Sequence, residues 1–240
     1  MNPDASGIQT MTLPIVLITG QLLTDAVWQP LLGAWADREV ILADNRSDDR
    51  IEDFAQRLLD NAPPRFALIA HAMGGFVAFE VMRRAPERVA RLALLSTLAS
   101  ADGPAQTARR QGYIDLVESG RFDQVVEERI PILFPEEKRG DERLLGIARR
   151  MAADTGADTF LAQQRAIMAR IDSRPRLGEI AVPTLLVWGE KDGITSRAHH
   201  QEIADAIPGA RLAVVPGAGH LTTIEAPEVV VPLLTEFVDG

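Results

Sequence analysis

Short apolar, strand-like runs alternate with amphipathic stretches up to about residue 102, stop, and resume at about residue 176. The runs are 14–19, 39–43, 66–70, 91–95, 183–188 and 211–215. Helical spacing lies between them at 25–35 (Thr24 or Asp25 as N-cap), 51–59, 74–84, 197–207 and 221–238. The last of these is expected to break or bend near Pro227 and Pro232. Alternation of this kind requires a parallel sheet with helices on both faces, because each crossover must return over the sheet. Residues 103–175 contain no convincing strand, and helical patterns fit 105–118, 122–129, 143–153 and 158–170. Gly120, Pro131, Pro135 and Gly156 punctuate them. The expected architecture is α/β: a mostly parallel, doubly wound sheet built from 1–102 and 176–240. An all-helical insert, 103–175, would cover its carboxyl edge as a lid. Open α/β sheets place ligands at that edge.

The 240 residues suffice for one such domain, and 46% of them are hydrophobic, enough for a sizeable core. With 25 basic against 34 acidic residues the formal net charge is −9, which argues against a nucleic-acid partner. There is no cysteine, so disulfides and thiolate metal sites are excluded. Residues 1–14 lack a basic start followed by an apolar run, and no stretch approaches ~20 continuous apolar residues. A cytoplasmic protein without a membrane span is expected. No G-x-G-x-x-G, P-loop or H-E-x-x-H pattern occurs, and His199 and His200 are adjacent on an expected surface helix. No metal or organic cofactor is expected. A small molecule is the expected partner, and no sequence feature specifies an oligomeric state.

Three short segments carry the chemistry, each just beyond the carboxyl end of an expected strand. The first is Ala70-His71-Ala72-Met73-Gly74-Gly75. It matches the G-x-S-x-G strand–turn–helix elbow, with Ala70 and Gly74 as the small residues a crowded turn needs and Ala72 where serine would stand. The second is Gly189-Glu190-Lys191-Asp192-Gly193, whose Asp192 could accept the Nδ1–H of a histidine. Standing alone, it is equally a polar turn. The third is Pro216-Gly217-Ala218-Gly219-His220, whose glycines allow a loop that returns His220 toward the elbow.

Their order, nucleophile position, Asp, His, is that of the α/β-hydrolase triad. Over residues 13–238 the chain resembles α/β-hydrolase-fold proteins. AHAMGG is similar to the family's GHSMGG-type elbow, WGEKD to its acid-bearing turn and GAGHLTTIEAPE to its histidine loop, and Ala-Pro-Glu-Arg-Val at 85–89 is also typical. The resemblance implies an oxyanion hole formed by the N–H groups of Met73 and Gln21, with Leu22 as the nearest rival to Gln21. Thr19 replaces the His usual before Gly20. It also implies a sheet trimmed at the edge before the first run, and it offers Asp102, after the fourth strand, as a rival acid. Ala72 excludes the family's aspartate-nucleophile branches.

The resemblance implies a serine hydrolase acting on a small carboxylic ester or lactone through a Ser-His-Asp triad, met here as an inactive Ser-to-Ala variant. Two alternatives are a cofactor-independent enzyme using His220 and Asp192 as a general base, and a non-catalytic, receptor-like binding protein. Candidate substrate-binding residues are Leu22, Trp28, Leu133, Phe134, Phe160 and Arg165, the last for an anionic group. Leu116, Ile130 and Ile167 are further apolar candidates in the insert.

Overall fold

The computed structural model describes residues 12–240. Residues 1–11, most of the segment expected to carry no leader, lie outside the described part. Six strands form one sheet in the order β2-β1-β3-β4-β5-β6, and every pairing is parallel. They are β1 (Ile15–Ile18), β2 (Val40–Leu42), β3 (Phe66–His71), β4 (Val89–Leu95), β5 (Thr184–Gly189) and β6 (Arg211–Val215). The second run shortens to three residues at the sheet edge, and the fourth begins earlier than its periodicity suggests.

Both faces of the sheet are covered, so the central strands are apolar on both sides. Successive side chains point to opposite faces. Ile15, Leu17, Ala67, Ile69, Ala93 and Leu95 enter one core. Val16, Ile18, Leu68, Ala70, Leu92 and Leu94 enter the other. The first core packs against α1 (Gln29–Ala34), α9 (Pro227–Asp239) and the inserted helices through residues such as Leu31, Leu234 and Phe160. The second packs against α2 (Ile51–Asn61), α3 (Met73–Arg84) and α7 (Arg197–Ala206) through Phe54, Val77 and Ile203.

The inserted segment between β4 and β5 contains α4 (Pro104–Glu118), α5 (Phe122–Arg129) and α6 (Glu142–Ala169). No strand is found there among the described residues. The two helices expected at 143–153 and 158–170 run on as α6, interrupted at Gly156 (φ 77°, ψ 168°), a conformation open to glycine alone. Thr24 caps a 3-10 turn over Asp25–Trp28 that leads into α1, in place of one helix over 25–35. The final helix breaks as expected before Pro227, giving α8 (Thr222–Glu225) and α9, while Pro232 is accommodated inside α9. No described helix is long and apolar enough to cross a membrane.

Candidate active site

A single residue, Ala72, joins β3 to α3, with φ 50° and ψ −113°. A side chain at positive φ is strained by on the order of 1–3 kcal/mol and persists only where its surroundings impose it. Here they do. The Ala72 N–H donates to the Leu95 carbonyl at 2.9 Å, and its carbonyl accepts from the Gly75 N–H and the Thr97 hydroxyl at 2.9 and 2.8 Å. The turn is also close-packed: a Cβ on Gly74 would lie 2.6 Å from the Ile18 carbonyl oxygen, and one on Gly20 2.8 Å from the Ala72 Cβ.

His220 follows β6. Its N–H donates to the Leu133 carbonyl at 2.8 Å, and Glu225 accepts the flanking N–H groups of Gly219 and Leu221, each at 3.0 Å. The Glu225 side chain is fully buried and meets Lys138 Nζ at 3.3 Å. Burial raises its pKa against the pull of those donors. Both oxygens of Asp192 lie near His220 Nδ1, at 2.9 and 3.1 Å. Asp192 also accepts from the Ile194 and Thr195 N–H groups and the Thr195 hydroxyl. Burial alone would raise this carboxyl. The charge and hydrogen bond of His220, with Thr195 and Ile194, outweigh it and hold the pKa at about 2. Ionised Asp192 has no proton to give, so Nδ1 carries the hydrogen and Nε2 is left free for chemistry.

His71, within the elbow, has a neutral ring. Burial, and then the nearby charge of His220, bring its pKa down to about 3. Its Nε2 lies 2.8 Å from the His220 carbonyl, which only accepts, so Nε2 is the protonated nitrogen and the two segments are tied together.

Ala72, Met73, Gln21 and His220 line one cavity of about 90 Å³. Leu23, Phe76, Leu98, Ile194 and Thr195 from the sheet domain also border it, and Arg110, Arg129, Leu133 and Ile167 reach it from the inserted helices. Neither the Gln21 nor the Met73 N–H has a hydrogen-bond partner among the described residues. The Leu22 N–H is already committed to Gln163 Oε1 at 3.2 Å, which removes it as the rival donor, and its side chain lies in the core. Asp102 is likewise removed as the rival acid: its carboxylate pairs with Arg110 and Arg170, at 2.5 and 2.7 Å.

Of the substrate-binding candidates, Leu133 borders the cavity, as does Ile167. Trp28, Phe134 and Phe160 pack in the core instead, where large apolar surface gains most from burial, and Ile130 and Leu116 join them. Arg165 is half exposed and pairs with Glu118 at 3.7 Å, away from the cavity. His200 is fully buried rather than on a surface, accepting the Thr97 N–H at 3.2 Å, whereas His199 completes a capping box with Ser196. A second cavity, of about 120 Å³ beside α2 and α3, contains neither His220 nor Asp192.

A parallel sheet with a sharp elbow after β3, and a carboxylate-steered imidazole carried on the loops after β5 and β6, places the protein among α/β enzyme folds. The profile of the alpha/beta hydrolase family matches residues 15–233, and the chain belongs to that family. It is 30% identical to a putative carbamate hydrolase RutD of Azorhizobium caulinodans, over 93% of this chain and 90% of the relative. It is 28% identical to a pimeloyl-[acyl-carrier protein] methyl ester esterase of Photobacterium profundum, over 93% of this chain and 94% of that one. A thermophilic esterase from Thermogutta terrifontis superimposes with a TM-score of 0.86 at 26% identity, covering 95% of this chain and 89% of the esterase.

Proposed function

We propose that the chain is a serine hydrolase of small carboxylic esters or lactones whose nucleophile has been replaced by alanine at position 72. The observation that carries this reading is Ala72 itself. It holds a strained elbow conformation while opening on the same cavity as a histidine whose Nδ1 is engaged by Asp192. A methyl group has no use for that conformation, whereas a hydroxyl there would be presented to His220 Nε2.

With serine at position 72, Oγ attacks the carbonyl carbon as His220 Nε2 takes its proton. The N–H groups of Gln21 and Met73, the latter at the N-terminus of α3, bind the oxyanion. His220 then protonates the departing alcohol, or the ring oxygen of a lactone. Water, deprotonated by His220, opens the acyl-enzyme, and the proton returns to the serine oxygen. Asp192 orients the ring and stabilises the imidazolium throughout. Residues 103–175 act as a lid that sets substrate size, and Leu133 and Ile167 are their apolar contribution. Without Oγ none of the covalent steps begins, so the chain as it stands is inactive.

The test is Ala72→Ser. Its kcat on a panel of p-nitrophenyl esters and small lactones is expected to exceed that of the Ala72 chain by a factor on the order of 10⁶. Failure to cleave any of the panel overturns the reading. The intact His220–Asp192 pair also suits a general-base enzyme that needs no hydroxyl. Turnover by the Ala72 chain that disappears in His220→Ala would select that alternative.

A further inference from the structure

The cavity beside Ala72 contains a positive charge that the reaction described above does not use. Arg129, the last residue of α5, borders it. Among the described residues, no carboxylate lies within 4.0 Å of its guanidinium. One nitrogen donates to Gln21 Oε1 at 3.3 Å, and the Tyr113 ring lies 5.1 Å from its central carbon. Its Nε is buried with no acceptor. The neighbouring Arg110 spends its charge on Asp102, which Arg170 shares, so that carboxylate is already met by two guanidinium groups and leaves nothing for Arg129. Of the unfilled polar atoms nearby, Arg129 Nε, Gln21 Nε2 and Gln164 Nε2 can only donate, while Ser96 Oγ, which also borders the cavity, can donate or accept. Gln164 has already given its oxygen to Arg110, as Gln21 has to Arg129.

A partly buried cation without a counterion is costly, and water can fill its hydrogen bonds but cannot neutralise it. Burial lowers the Arg129 pKa, with the charge of Arg110 adding to it and Tyr113 opposing it, but a guanidinium stays charged at neutral pH. A ligand that completes the site must bring acceptors and one negative charge, in the planar form a guanidinium grips best. We infer that Arg129, with Gln21 Nε2, forms a carboxylate-binding subsite, so that the preferred substrate is an ester or lactone bearing a second, free carboxylate a few bonds from the scissile carbonyl. This deepens the hydrolase reading and depends on it for the place of the scissile bond. Because the Gln21 side chain meets Arg129 while its N–H faces the expected oxyanion, the carboxylate and the reacting carbonyl are held by adjoining parts of one residue.

The experiment has two arms. In Ala72→Ser protein, kcat/KM is measured for mono-p-nitrophenyl glutarate and for the neutral p-nitrophenyl pentanoate. The acidic ester is expected to be preferred. Arg129→Met should lower the acidic-to-neutral ratio by about 30-fold or more, and Arg129→Lys should restore part of it. No preference in Ala72→Ser, or a ratio unmoved by Arg129→Met, overturns the subsite. In the second arm, glutarate is titrated calorimetrically into the Ala72 chain and its Arg129→Met form, with thermal melting to verify that both are folded. Saturable binding weakened by about 10-fold or more in Arg129→Met supports the subsite, and binding that is absent or insensitive to the variant overturns it. If neither ester is cleaved while glutarate binding still depends on Arg129, the hydrolase reading fails and the subsite stands.

Discussion

Ala72 combines the smallest side chain that still has a Cβ with a backbone conformation that side chains avoid. The conformation is imposed from outside, by Leu95, Gly75 and Thr97, and therefore does not depend on what the side chain can do. The same holds at Asp192, where four donors converge on two oxygens. This arrangement gives Asp192→Asn a definite consequence. The amide oxygen stays with the Ile194 and Thr195 donors, which turns the NH₂ group toward His220 Nδ1. The imidazole must then carry its proton on Nε2, the nitrogen that would receive the serine proton. In the Ala72→Ser background, Asp192→Asn should therefore lower kcat by about 10⁴, with the fold unchanged by circular dichroism. These side chains were legible in the sequence because Asp192 and His220 sit in loops marked by glycines. Arg129 was not, since an arginine at a helix end is ordinarily solvated, and no pattern separates it from Arg165, which is.

The loop between β6 and α8 works as a unit. Glu225 closes it by accepting one N–H on each side of His220, and His71 and Leu133 hold His220 through its carbonyl and N–H. Close packing leaves no slack where this loop crosses β5: a Cβ on Gly189 would lie 2.0 Å from the Gly219 carbonyl oxygen. Glu225→Gln places an NH₂ against one of two backbone N–H donors. It is expected to cost about 1–3 kcal/mol of stability and, in Ala72→Ser protein, to lower kcat at least tenfold with little change in KM. A kcat that stays at the Ala72→Ser level would show that Glu225 only braces the loop. The strands and the break before Pro227 were readable because periodicity and proline act locally. The division of α6 was also marked, by Gly156, although its two halves abut with no loop between them. The role of Glu225 was hidden, because it depends on a turn that brings residue 225 back over residues 219 and 221.

At the scale of the whole molecule, two buried imidazoles make stability depend on pH. Burial lowers the His71 pKa to about 3 and the His200 pKa to about 4, from an ordinary value of 6.5. Both stay neutral in the folded state where the unfolded chain would take up protons. Their contribution is complete above about pH 6.5 and drains away as pH falls toward 4. The expected slope approaches ~1.4 kcal/mol per pH unit for each imidazole, measured by urea denaturation between pH 7.5 and 4.5. Stability that stays flat over that interval would contradict it. The parallel sheet and its helical cover were legible from alternation alone, whereas the burial of His200 was not, because only His200 and Ile203 of its helix are buried, too short a pattern to mark an inward face. One feature of the elbow reaches beyond any single reaction. The strained turn, its close glycine contacts and the two unpaired amides are all set by the main chain, so their shape does not depend on whether alanine or serine stands at position 72. If the hydrolase reading proposed above holds, the Ala72 chain retains its guest in the pose of the first instant of reaction, and the quantity to measure on it is residence time rather than turnover.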